Sequence, residues 1–351
     1  MPRVLIPSDN RDFAAYLAAA YRQAGWEVVV GAANFDFAGA KYDLVNFQWP
    51  EELSDWNPPS DSRLREITSQ LDEWRRRSKL VLTVHNLRPH RSGDASNYQK
   101  LYEVFYQRMH VVAHFTETSR AAVTREFPSS SDTRHVVTGY FNLDHLVPAT
   151  PDRSGARERL GIAENAFVPL VFGRLREWSE VELIKRGFDA ASVRTKRLLM
   201  CGRYDESGPA WRQKWRRWAL AHWLRSRSAV YLPGFVPDPE VHPVVEAADA
   251  VVIPRFRSMN SGLPALGVSF GKIIIAPRCG AYPELLADTL HPLYEPGDAG
   301  SLARAIESAS RLDRKEVESE CRRLAGEWQW SAIVRAIVET VGIPAPDVNA
   351  H

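Results

Sequence analysis

Twice along the chain, short β-branched runs alternate with segments of helical apolar spacing, and this alternation limits the fold more than any other feature. The first series runs Val4-Leu5-Ile6, a helical pattern from Phe13 to Ala24, Trp26 to Val30, Leu44 to Phe47, a second helical pattern from Leu64 to Arg77, then Leu80 to Val84. The second begins at Pro169-Leu170-Val171-Phe172 and continues with Arg197 to Met200, Ala229 to Leu232, Ala250 to Ile253 and Lys272 to Ala276. Such alternation predicts parallel strands joined by crossover helices. With 351 residues and 44% apolar content the chain has enough material for two α/β domains, each with its own core. Val147-Pro148-Ala149-Thr150-Pro151-Asp152, Pro-rich and polar, reads as the linker, with one domain over 1–149 and the next from 150.

Bulk properties exclude several classes. Lys plus Arg at 45 against Asp plus Glu at 43 leaves a net charge of +2, which argues against a nonspecific grip on nucleic acid. Cys201, Cys279 and Cys321 are far apart and odd in number, so neither a disulfide framework nor a zinc site is expected, and a reducing cytosol fits. The opening Met1-Pro-Arg-Val-Leu-Ile-Pro is too short an apolar run for a signal peptide, and no stretch approaches the ~18 apolar residues of a membrane span. A cytoplasmic chain, at most peripheral to a membrane, is expected. After the first strand Pro7-Ser8-Asp9-Asn10 stands where a dinucleotide fold would carry G-x-G-x-x-G, and there is no P-loop.

In open parallel sheets ligands sit beyond the carboxyl ends of the strands. The strand Ala250 to Ile253 is followed by Pro254-Arg255-Phe256-Arg257-Ser258-Met259-Asn260-Ser261-Gly262, and then by helix-like spacing to Phe270. Small polar residues there cap free N–H groups, glycine lets a ligand approach the backbone, and the helix dipole adds about 0.3–1 kcal/mol toward an anion. The bland alternative is an ordinary helix cap. Next come Ser269-Phe270-Gly271, an apolar strand, and Ala276-Pro277-Arg278-Cys279-Gly280-Ala281-Tyr282-Pro283-Glu284-Leu285. This order resembles the donor half of GT-B glycosyltransferases, in particular bacterial polysaccharide and mannosyltransferase-like enzymes with an N-S-G motif. Phe172-Gly173-Arg174-Leu175-Arg176-Glu177-Trp178, Gly234-Phe235-Val236-Pro237-Asp238 and Ala247-Ala248-Asp249-Ala250 are similar to further landmarks of that half. Trp328-Gln329-Trp330-Ser331 precedes an apolar helix, as in GT-B chains whose last helix returns toward the first domain. The donor domain is accordingly 150–325, and 326–351 the returning helix and tail.

The resemblance implies two Rossmann-like domains whose parallel sheets face across a cleft. It implies transfer of a sugar from a nucleoside diphosphate, GDP-mannose first and a UDP-sugar next, to a saccharide or lipid-linked acceptor. No resident cofactor or catalytic metal is implied. Arg176, assisted by Arg174, would hold the diphosphate, and Gly173, Phe235, Val236, Asn260, Ser261, Gly262 and Glu284 complete the donor side. Two departures stand out. The paired glutamates of many retaining relatives fall on Ser258 and Leu266, and the usual lysine after the arginine on Ser179. They keep open a silent sugar-nucleotide-binding subunit and a GT-B-like epimerase as alternatives.

On the acceptor side, His85-Asn86 follows the strand Leu80 to Val84. The resemblance implies that His85 faces the donor sugar, and an imidazole near neutrality is also a candidate base. Asp9, Glu51 and Asp94 are the other candidate bases. Asp9 and Asn10, with the Gln48 amide and the Trp49 ring, offer hydrogen bonds and a stacking face suited to a sugar. Thr138-Gly139-Tyr140 resembles a loop in which only Gly139 carries over. Finally, Trp211, Trp215, Trp218 and Trp223 recur at helical spacing among cations. Such a stripe is ordinarily core, its charges being the solvated face; the other reading places it on an anionic membrane surface, the inner membrane for a lipid-linked acceptor.

Overall fold

A computed structural model describes all residues except 38, 88–94, 205–207, 235–237 and 344–351. The chain divides into two units, one of residues 1–141 together with 328–351, the other of 142–327.

The first unit is built from β1 (Arg3–Ile6), α1 (Arg11–Gln23), β2 (Glu27–Val30), β3 (Leu44–Phe47), α2 (Asp61–Arg75), β4 (Lys79–Thr83), α3 (Ala95–Tyr106), β5 (Val111–His114), α4 (Glu117–Glu126) and β6 (Arg134–Val137). Its six strands are all parallel in the order β2-β1-β3-β4-β5-β6. Val4 to Ile6, Leu44 to Phe47, Leu80 to Thr83 and Val111 to His114 are buried, as expected of strands covered on both faces.

The second unit contains α5 (Arg153–Arg159), β7 (Pro169–Leu175), α6 (Trp178–Ala190), β8 (Leu199–Tyr204), α7 (Ala210–Ser226), β9 (Val230–Pro233), α8 (Asp238–Ala247), β10 (Ala250–Val252), α9 (Gly262–Ser269), β11 (Ile273–Pro277), α10 (Tyr282–Leu285), β12 (Leu293–Tyr294), α11 (Ala299–Ala309) and α12 (Arg314–Glu327). Its parallel strands run β12-β11-β10-β7-β8-β9. Alternate residues divide between the faces. Val171, Met200 and Val252 join a core under α6, α7 and α11, whereas Leu170, Leu199 and Val251 face α8 and α9.

The Pro-rich stretch Val147–Asp152 lies inside the second unit, and the division falls at Phe141 and Asn142. Packing is the reason: Leu143, Leu146 and Val147 lie against the α8–α9 face, and the Leu143 N–H donates to Ser269 Oγ at 2.7 Å. Just beyond, Arg157 is fully buried and donates to the carbonyls of Ala163, Glu164, Ala166 and Ala247. It also pairs with Asp249 at 2.8 Å, whose carboxylate accepts the Val168 N–H, so one ion pair ties α5 to the starts of β7 and β10. Residues 149–152 are exposed, and the packed residues on either side, Val147 and the buried Arg157, hold the stretch within the second unit.

The last helix, α13 (Trp330–Val341), belongs to the first unit, where Ile333, Val334, Ile337, Val338 and Val341 are buried. Trp330 meets Phe13 at 4.8 Å and Phe141 at 4.9 Å, and Trp328 meets Tyr140 at 5.1 Å.

On α7 the structure overturns the reading of the tryptophan stripe as core. Trp223, Leu220 and Leu224 face inward, but Trp211, Trp215 and Trp218 are 69%, 56% and 58% exposed. The inward face of the helix is filled by Leu220, Trp223 and Leu224, and of the outward rings Trp215 adjoins Trp178 at 6.3 Å. Among the described residues no helix is long and apolar enough to cross a membrane.

Candidate functional site

Each sheet reverses its strand order once, at β1/β3 in the first unit and β7/β10 in the second. At such switch points the loops diverge and leave a crevice beyond the strand ends, which is where open α/β sheets place ligands. Asp9, Asn10, Gln48 and Trp49 follow β1 and β3, and Arg174, Arg176, Asn260, Ser261 and Gly262 follow or end β7 and β10, whereas His85 and Asn86 follow β4 and Glu284 lies on α10.

In the second unit β7 ends in Gly173-Arg174-Leu175, followed by Arg176 and Glu177 at the start of α6. Gly173 pairs with Gly202 of β8, where a Cβ would come within 1.9 Å of the Gly173 carbonyl, so this corner demands a bare backbone. Glu180, buried on the first turn of α6, organises the loop. One carboxylate oxygen accepts the backbone N–H of Arg176 at 2.7 Å, and the other pairs with Arg255 at 2.6 Å. Arg255 also donates to the Arg174 carbonyl at 2.6 Å, so the loops after β7 and β10 are joined.

Arg176, Arg174 and Arg255 are thereby held close enough to interact electrostatically. Burial first, and then the charge of Arg255, lower the pKa of the Arg176 guanidinium, with Arg174 adding to the effect and Glu180 opposing it. Three guanidinium-bearing side chains thus lie on two joined loops, and a guanidinium presents hydrogen-bond donors in the fork that an anionic oxygen pair accepts.

Beside them Ser261 caps α9, its hydroxyl accepting the Leu263 N–H at 3.3 Å. A Cβ on Gly262 would meet nothing within 4 Å, so the helix start opens on free space rather than on protein. The preceding loop is pinned from β11: the Ala281 N–H donates to the Met259 carbonyl at 3.0 Å, and the Tyr282 hydroxyl bonds Ser258 Oγ at 3.0 Å. Gly280 has φ +57, and a Cβ there would lie 1.7 Å from the Ser258 carbonyl, so only glycine permits this crossing. Asn260 is half-buried in the loop, and Glu284 is exposed on the short α10. Phe235 and Val236, expected near the nucleotide base, lie outside the described residues, as does Asp94.

The first-unit switch point differs in chemistry. His85 is walled by rings: Trp49 stacked at 4.0 Å, Phe13 at 4.5 Å and Phe115 at 5.5 Å, both edge-on. Burial pushes its imidazole down to about 3, so it is neutral at physiological pH and too weak a base to take a proton from a hydroxyl unaided. Its Nε2 lies 3.0 Å from Gln48 Oε1; an amide oxygen only accepts, so Nε2 carries the proton.

Gln48, expected to present its amide to a sugar, is 1% exposed and donates inward to Asn46 Oδ1 at 3.0 Å. Asn46 in turn accepts from Thr83 and donates to the Tyr21 hydroxyl. The network fixes the His85 ring, and Gln48 is a positioning residue. Asn10 is similarly occupied, capping α1 by accepting the Phe13 N–H at 3.2 Å, and Asp9 accepts the Ala32 N–H at 3.0 Å. Glu51 is 2% exposed and accepts the Tyr102 hydroxyl at 2.9 Å, which removes it from reach as a base. Asn86 is half-buried after β4.

Three residues escaped the sequence reading. Arg255 was given no role from sequence, and its pairing with Glu180 distinguishes it from the exposed Arg257. Glu52 sits against Ser8, Asp9 and the Asn10 backbone; burial and then the Asp9 charge push its carboxyl up to about 7, against the hydrogen bond from Ser8. Its Oε2 is buried with no hydrogen-bond partner among the described residues. Trp56, 41% exposed at φ +58, adjoins Trp49 at 6.1 Å and gives the rim a second aromatic face. A left-handed tryptophan has no signature in sequence.

Residues 166–311 match the family model described as Glycosyl transferases group 1. A D-inositol 3-phosphate glycosyltransferase of Geodermatophilus obscurus is 28% identical over 228 residues, which cover 61% of this chain. That match spans 48% of the relative's own length, so the chain accounts for about half of it. Among solved structures, HepE of Anabaena, in complex with UDP and glucose, has a TM-score of 0.70 at 17% identity over 97% of this chain and all of that one. Sucrose-phosphate synthase of Thermosynechococcus elongatus has a TM-score of 0.71 at 16% identity, covering 97% of this chain and 98% of its own. The fold is therefore GT-B, and the segment that matches the group 1 model lies in the second unit.

Proposed function

We propose that the chain is a glycosyltransferase that moves a sugar from a nucleoside-diphosphate donor to a saccharide or lipid-linked acceptor. The observation that carries this reading is the joining of the loops after β7 and β10 through Glu180 and Arg255, which brings Arg174, Arg176 and Arg255 together beside the Ser261-capped start of α9 at the second sheet's switch point. Two oxygens of a diphosphate suit a guanidinium fork, and the remaining charge suits the helix N-terminus. As the sugar leaves, negative charge grows on the diphosphate, and cations already in place stabilise it without rearranging.

A UDP-sugar is the donor of choice over GDP-mannose, supported by the UDP and UDP-glucose complexes of HepE. On the acceptor side, Trp49 and Trp56 supply stacking faces, neutral His85 a positioned polar ring, and Glu52, half ionised near neutrality, a proton acceptor.

A thermal-shift panel of UDP, GDP, ADP and TDP tests the donor, since a ligand of the folded state raises its stability. UDP is expected to give the largest shift, and a panel with no shift would refute the diphosphate site. One observation favours a silent binding subunit as the second reading: the positions of the family's paired glutamates hold Leu266, which is buried, and Ser258, which is bonded to Tyr282. A protein that binds UDP yet neither transfers nor hydrolyses any donor sugar would select it.

A further inference from the structure

The exposed face of α7 has a composition that the sugar-transfer reading leaves unused. On a helix of 3.6 residues per turn, Trp211, Trp215, Trp218 and His222 fall in one line along the outward side. The three tryptophans are each more than half exposed, and His222 stacks on Trp218 at 5.4 Å. Lys214 and Arg225 flank this line on one side, Arg212 on the other, and Arg217 lies further round; all four are exposed. The remaining cations turn elsewhere: Arg216 lies over the Trp178 ring at 5.4 Å, and Arg227, just past the helix, pairs with Asp189 at 2.7 Å. From Ala210 to Ser226 there is no acidic residue.

Ordinary surface helices bury their large rings and expose their charges. Here the inward side holds Leu220, Trp223 and Leu224, and a second apolar ridge faces out between cations. A contiguous exposed apolar patch with a charged border marks an interaction surface.

We propose that this ridge docks the protein on an anionic lipid bilayer, with Trp211, Trp215 and Trp218 entering the headgroup boundary and Arg212, Lys214, Arg217 and Arg225 meeting lipid phosphates. Indole suits that depth, since it presents both an apolar ring and an N–H donor. Charge decides against a second copy of the chain, because a twofold contact through this ridge would bring the same four cations face to face. Shape decides against single-stranded nucleic acid, which is held in grooves, whereas these rings stand on a convex helix. The ridge lies wholly in the second unit, where Trp215 adjoins Trp178 at 6.3 Å.

Cosedimentation of the full chain with vesicles tests the proposal. Binding is expected to phosphatidylcholine vesicles containing about one-third phosphatidylglycerol, to fade with added salt, and to be absent from phosphatidylcholine alone. Arg212→Gln, Lys214→Gln, Arg217→Gln and Arg225→Gln should each weaken it by about fivefold. The triple variant Trp211→Ala, Trp215→Ala, Trp218→Ala should lose binding, and with it the quenching of tryptophan fluorescence by brominated lipid. Thermal melting and UDP binding serve as controls for the fold and for the donor site separately. The salt dependence and lipid quenching of the unmodified chain test the proposal even where the triple variant does not fold. Unmodified protein that ignores anionic vesicles overturns it, as does equal binding by both sets of variants. Self-association or oligonucleotide binding that disappears with the tryptophans, without vesicle binding, overturns it in favour of that partner.

Discussion

The two switch points each lie where a parallel sheet reverses its strand order, and they differ in almost everything else. At β7/β10 Glu180 and Arg255 join two loops that carry Arg174 and Arg176, and loop backbone is stitched tightly enough to forbid a Cβ at Gly280. At β1/β3 the lining is aromatic and close to neutral, with an imidazole held unprotonated and a Glu52 carboxyl that titrates near 7. Topology therefore supplies a place, and the side chains at the strand ends decide what it takes. Under the proposed function the first would take the diphosphate and the second a ligand rich in hydroxyls.

Glu180 is the point at which the contrast breaks most easily. Replacing it by Leu leaves Arg255 buried without its partner and orphans the Arg176 N–H, so a loss of about 3–5 kcal/mol in unfolding free energy is expected by urea denaturation. A loss under about 1 kcal/mol would mean that the cations are not held as a unit. Next in size, Arg176→Ala should weaken UDP binding by calorimetry by about tenfold or more, the loss of one charge-assisted hydrogen bond or two, with little change in melting temperature. Unchanged affinity would remove the diphosphate from this switch point.

A third measurement concerns the neutral side. The folded pKa of Glu52 lies above its unfolded value, so its contribution to stability is complete below about 4.5 and is lost as pH rises through about 7. Glu52→Gln should flatten that part of the pH–stability curve by on the order of 1–2 kcal/mol, discounted for solvent at the rim. A curve unchanged by the substitution would show that the carboxyl is ionised throughout. Smallest is Asn10→Ala, expected to cost about 1 kcal/mol as a lost helix cap while leaving the acceptor KM unchanged. The reverse pattern, with intact stability and raised KM, would return Asn10 to the acceptor.

Much of the donor side was legible because its signals are local. A strand, a turn and a capped helix follow one another within about 20 residues, and Arg176, Ser261 and Gly280 fall at fixed steps inside them. Arg255 was not legible, since its meaning depends on Glu180, 75 residues away. On the acceptor side Gln48 and His85 share a hydrogen bond across 37 residues, and whether the amide points to solvent or to Asn46 depends on the packing of the sheet. The stripe on α7 shows the same limit: spacing alone placed four tryptophans on one helix, but which of them face the core depends on Leu220 and Leu224 having taken the inward side.

Reading the sequence by itself establishes the alternation of strands and helices, their repetition in two series, the GT-B resemblance and the strand ends at which chemistry belongs. Backbone propensity and apolar period are written residue by residue, so they survive without coordinates. Tertiary structure alone decided where the units divide, which carboxylates are buried beyond use, that His85 is neutral, and that three rings of α7 face out. Burial and electrostatic partners are sums over residues distant in sequence, and only the folded chain performs that sum.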